Sequence, residues 1–126
     1  MNFNEIYQKS IENPEEFWKS VSEDIFWFKK PSKILNSSNP PFYKWFEDGK
    51  TNTCYNAIDI HVENGLGDKT ALIYDSPITK NKAKFTFAEL KKKISKFAGA
   101  LKNQGINKGD RVVIYMPMIP EAVIAM

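Results

Sequence analysis

Residues 84–116 write out one helix with both of its ends and then run straight into an apolar hexapeptide, and no other stretch constrains the fold as tightly. Thr86 followed by Glu89 has the capping-box spacing, in which a hydroxyl and a carboxylate each satisfy an otherwise unpaired backbone N–H. Phe85 and Leu90 flank that cap at the positions of a hydrophobic staple. Phe87, Leu90, Ile94, Phe97, Ala98 and Leu101 recur at steps of three and four, which predicts one buried face. Lys91, Lys92, Lys93, Ser95, Lys96 and Lys102 fall on the other face. Gly105 is placed as a left-handed C-cap, with Ile106 folding back onto the last turn. A tight turn at Lys108-Gly109-Asp110 leads to Arg111-Val112-Val113-Ile114-Tyr115-Met116. That run is apolar on both faces, as a strand is when helices cover both sides of a parallel sheet. The start of an α/β domain is expected.

At 126 residues there is room for one small domain or for part of a larger one. A net charge of +3 is too mild to imply a nucleic-acid partner, and no stretch approaches the apolar length of a membrane span. The single Cys54 excludes an intramolecular disulfide framework and fits a reducing compartment. The opening MNFNEIYQKS has no apolar core of signal-peptide length, so a cytoplasmic protein is expected. Near the other end, Pro120 and Glu121 suit the first turn of a helix. The run Ala122-Val123-Ile124-Ala125-Met126 then has neither cap nor polar tail, so the expectation is an element cut part-way.

Taken in order, a short helix opening near Asn4 is predicted to carry Ile6, Tyr7 and Ile11. A second has Asn13 as cap, Pro14 at its first position, and Glu15 and Glu16 in its first turn. Phe17, Val21 and Ile25 mark its apolar face, with Trp18 beside them. Residues 26–49 lose all periodicity, and Pro31, Pro40, Pro41 and Asn36-Ser37-Ser38-Asn39 impose turns. Yet Phe26, Trp27, Phe28, Phe42, Tyr43, Trp45 and Phe46 sit among them, too many aromatics for a disordered linker. This arm is expected to wrap over another surface. Asn52 or Thr53 is placed to cap a helix through Tyr55, Ile58 and Val62, ended by Asn64-Gly65-Leu66-Gly67-Asp68. Residues 70–74 read as a strand, and residues 82–85 as its hairpin partner across a loop holding Pro77.

None of the chemistry-bearing patterns survives its spacing test. Gly65-Leu66-Gly67 lacks the third glycine of a dinucleotide fingerprint and precedes a strand instead of following one, so it reads as a helix stop. Between Gly105 and Gly109 there is no phosphate loop, since no Gly-Lys-Ser/Thr follows. Cys54, Asp59 and His61 lie close in sequence, but zinc needs more ligands at matched spacing. A nucleophilic triad would rest on His61 alone, with no Gly-x-Ser-x-Gly turn to present a serine. Lys91, Lys92 and Lys93 read as a solvated helix face, with Glu89 and Lys93 at pairing distance of four residues. The aromatics beside Lys44 read as packing, not as a base-stacking platform. Asn36-Ser37-Ser38 matches a glycosylation acceptor but has no secretory context. Catalytic, cofactor-binding and metal residues are therefore all expected to be none.

The string Gly109-Asp110-Arg111-Val112-Val113-Ile114-Tyr115-Met116-Pro117-Met118-Ile119-Pro120-Glu121-Ala122 resembles an N-terminal block of the short-chain acyl-CoA synthetases. These are the AMP-forming acetate- and propionate-CoA ligases of the adenylate-forming superfamily. The resemblance extends to Phe85-Thr86-Phe87-Ala88-Glu89-Leu90, to Gly67-Asp68-Lys69-Thr70-Ala71-Leu72-Ile73-Tyr74 and to Trp45-Phe46-Glu47-Asp48-Gly49. Asn39-Pro40-Pro41-Phe42 and Thr51-Asn52-Thr53-Cys54-Tyr55-Asn56-Ala57-Ile58-Asp59 are most similar to the propionate branch, while Ile60 stands where that family commonly has arginine.

The resemblance implies a two-step enzyme. A carboxylate attacks the α-phosphate of ATP, with magnesium on the phosphates, and CoA thiol then displaces AMP from the acyl-adenylate. It also implies that the phosphate loop, ribose-binding acid, carboxylate pocket and catalytic lysine lie downstream of residue 126, so ATP, Mg2+ and CoA are not expected to bind this stretch. The expected fold class is α/β, a helical and irregular N-terminal cap over residues 1–56 followed by the first strands and helices of an adenylating large domain over residues 57–126. The expected partners are a short-chain carboxylate (propionate or acetate), CoA and the rest of the same polypeptide. The competing expectation is a stand-alone, non-catalytic interaction module derived from that family. On its own the chain is expected to fold poorly or to self-associate, because its central strand has no neighbours.

Overall fold

A computed structural model describes residues 2–126. Contacts divide the chain into two compact units, Met1–Asn56 and Ala57–Met126.

In the first unit, α1 (Phe3–Glu12) begins one residue before the expected opening at Asn4. Asn2 is the cap: its Oδ1 accepts from the Glu5 N–H at 3.0 Å, and the Glu5 carboxylate accepts from the Asn2 N–H at 3.3 Å. Asn13 closes α1 and opens α2 (Pro14–Val21), so the two helices abut at a single residue. It caps through its backbone and the fixed φ of Pro14, since its side chain makes no capping bond. Of the expected apolar face of α2, Phe17 is half-buried, whereas Val21 and Ile25 are exposed.

The arm that follows is held by local backbone devices. Strands β1 (Leu35–Asn36) and β2 (Lys44–Trp45) form a two-residue antiparallel ladder, and Lys29 bridges Lys50. Ile34 and Ser22 are its buried residues. The Trp27 indole N–H donates to the Ser22 carbonyl at 2.9 Å, and its ring lies 5.5 Å from that of Phe46. Gly49 is required by this packing, because a Cβ there would meet the Trp27 ring at 2.7 Å. Asn56 works as a surrogate strand: its Oδ1 accepts from the Phe26 N–H at 2.8 Å, and its Nδ2 donates to the Phe26 carbonyl at 3.1 Å. The rings of Phe26, Phe28 and Tyr55 close a triangle with centroid separations of 5.1, 4.8 and 5.2 Å.

The second unit contains a hairpin, β3 (Thr70–Asp75) with β4 (Lys82–Thr86), antiparallel as expected, with Leu72 opposite Phe85 and Tyr74 opposite Ala83. Helix α3 (Phe87–Asn103) packs against both strands, and Leu90, 2 % exposed, is its buried centre. Its C-terminus closes as a Schellman turn around Gly105 at φ +87°: Gly105 N–H donates to the Lys102 carbonyl and Ile106 N–H to that of Leu101. Before β3, the helix expected to follow Asn52 does form, and the Tyr55 N–H donates to Asn52 Oδ1 at 2.8 Å. Its segments Tyr55–Asp59 and Val62–Leu66 are π-wound, Gly65 at φ +77° kinks the second, and Gly67 caps its end. Helix α4 (Pro120–Ala125) begins at the expected proline.

One expectation needs correction. Residues 111–116 are not a strand: no segment among the described residues pairs with them, and Val113 and Tyr115 are 88 % and 100 % exposed. Pleated apolar sequence supplies side chains for a strand but not the second row of donors and acceptors that defines one.

Candidate functional site

The N-terminus of α3 is the place where an anion-binding site would be sought, because free N–H groups and the helix dipole converge there. In this chain those donors are already occupied by the protein. Phe87 N–H donates to the Lys69 carbonyl at 3.1 Å and Ala88 N–H to the Gly67 carbonyl at 3.0 Å. Glu89 N–H donates to Thr86 Oγ1 at 3.2 Å, and Thr86 N–H to the Glu89 carboxylate at 2.9 Å. Gly67 thus serves the helix start as a carbonyl acceptor, and a Cβ there would make only ordinary contact with Ala88 and Val62.

The lysine run is likewise engaged. Lys91 lies 3.1 Å from Asp59 and 3.7 Å from Glu63, and the hydrogen bond to Asp59 raises its ammonium above the usual lysine range. Asp59 and Glu63 share a helical face four residues apart, a spacing that could have signalled a common partner. Lys93 sits over the Phe85 ring at 5.5 Å, while Glu89 is committed to the cap, so the expected Glu89–Lys93 pair gives way to a cation–π contact. His61 packs its ring 4.8 Å from that of Phe87, and Asp59 faces Lys91, so these two do not converge on a shared ligand. Cys54 is half-buried. Among the described residues no three His, Cys, Asp or Glu side chains gather to hold a metal ion.

Two carboxylates order the arm of the first unit. Asp48 accepts from the Ser32 N–H at 2.9 Å and from the Lys29 ammonium at 3.2 Å, which together hold its carboxyl down at about 2. Glu47 accepts from the Asn36 amide at 2.9 Å and the Lys44 ammonium at 2.7 Å, and its carboxyl is lowered by them in that order. Both pairs lie at the surface and fix loop geometry. No helix among the described residues is long and apolar enough to cross a membrane.

The remaining chemistry-poor but exposed feature is the apolar segment 111–118. It runs beside a cleft of about 220 Å³ that β3 and α4 line with Leu72, Tyr74, Ile119 and Val123.

A hairpin, a capped helix and an unpaired apolar run, preceded by a helical cap, form an architecture shared with a known enzyme family. Residues 60–126 match the AMP-binding enzyme family, and residues 3–57 match the acetyl-coenzyme A synthetase N-terminus. The chain belongs to the AMP-binding enzyme family. It is 52 % identical over 120 residues to the Rattus norvegicus acyl-CoA synthetase short-chain family member 3, mitochondrial, covering 95 % of this chain and 18 % of that relative. Against the acetyl-coenzyme A synthetase of Streptomyces avermitilis it is 46 % identical over 122 residues, covering 97 % of this chain and 19 % of the other. The acetoacetyl-CoA synthetase from Streptomyces lividans superposes with a TM-score of 0.84 at 29 % identity, over 99 % of this chain and 19 % of that one. The fold is therefore that of the N-terminal part of an adenylate-forming synthetase. The chain spans about a fifth of the length of these relatives.

Proposed function

We propose that this chain is the N-terminal scaffold of an ATP-dependent, AMP-forming ligase for a short-chain carboxylate, propionate or acetate. In that reading the whole enzyme joins the carboxylate to the α-phosphate of ATP with release of pyrophosphate. CoA thiol then takes the acyl group and releases AMP. Residues 1–56 form its cap and residues 57–126 begin its adenylating domain. The observation that carries the reading is the match of residues 3–57 and 60–126 to these two families, beside the 46 % identity over 122 residues to an acetyl-coenzyme A synthetase. The free backbone of residues 111–116 supports it, because such a run becomes a strand once a sheet forms around it. A cytoplasmic setting rests on the lone thiol Cys54. In this reading no residue of the chain touches substrate, and the chain alone forms no acyl-adenylate.

The test is a chimera in which this chain replaces the matching N-terminal fifth of the Streptomyces avermitilis acetyl-coenzyme A synthetase. The chimera is expected to fold and to retain acetate-dependent pyrophosphate exchange, while the 126-residue chain alone shows none. A folded but inactive chimera, or exchange by the isolated chain, would overturn the reading.

A further inference from the structure

We draw no further inference here: the strongest candidate, the unpaired apolar segment 111–118 with the cleft between β3 and α4 beside it, is already taken up by the scaffold reading, and nothing in the structure shows any other partner that covers it.

Discussion

Helix α3 and the segment that follows it at residues 111–118 are neighbours in sequence, yet one is complete and the other is open. Every exposed donor at the start of α3 has a partner within the chain, and Gly105 closes its far end. A helix pairs its backbone within itself, so a short sequence can specify it entirely. A strand pairs its backbone with another segment, so its sequence states only half of the structure. Residues 111–116 therefore have strand composition without a ladder.

Core truncation should separate the two regions most strongly. Leu90→Ala in the 126-residue chain is expected to lower stability by about 3 kcal/mol, the cost of emptying a fully buried leucine site. Val113→Ala in the same chain should change it by less than about 0.5 kcal/mol, as exposed positions do. In the chimera the contrast should shrink, with Val113→Ala rising above about 1 kcal/mol as the strand becomes enclosed. Urea midpoints of each variant against its unsubstituted parent measure this, and equal effects of the two substitutions in the isolated chain would break the comparison.

A smaller effect is expected at the helix cap. Thr86→Ala should cost about 1 kcal/mol, because the Glu89 N–H loses its side-chain acceptor, while the Glu89 carboxylate keeps the backbone N–H of residue 86. Urea melts of the chimera that show no loss would mean that the cap does not hold α3.

The smallest effect concerns the arm of the first unit and acid. The Asp48 carboxyl is lowered from 3.8 to about 2, so its contribution is present in full above the unfolded value and is lost as the pH falls through the folded one. Tryptophan fluorescence, with Trp27 and Trp45 in that arm, should change between about pH 4 and about pH 2, and Asp48→Asn should flatten the change. An unaltered titration in the variant would assign the transition to other carboxylates.

Legibility follows the range of the interactions. Thr86 with Glu89, Gly105 with Ile106, Gly67 as a stop and the hairpin across Pro77 act over a few residues, and each stands where the sequence places it. The Asn56 amide reaches Phe26 across thirty residues, and nothing local announces it. Asn13 is legible as a boundary, but its side chain plays no capping part, because one residue that both ends and starts a helix has its geometry set by backbone. The π-winding of Tyr55–Asp59 and Val62–Leu66 carries no periodic signal that distinguishes it from an α-helix. At the site level, Gly67 accepts at the start of α3, His61 packs on Phe87, and Lys91 and Lys93 have partners within the chain. The Lys91 pairing with Asp59 and Glu63 escapes a sequence reading, since it joins two helices through tertiary contact.

Amide hydrogen exchange on the monomeric chain at high dilution, with size exclusion as its control, tests the central contrast most directly. Residues 112–116 are expected to exchange near the rate of an unstructured peptide, while residues 91–101 of α3 exchange at least about tenfold more slowly. Raising the concentration should slow exchange in 112–116 as copies associate through the open backbone. Protection of residues 112–116 equal to that of α3 in a dilute monomer would contradict the account, for it would mean that the segment is already paired within these 126 residues.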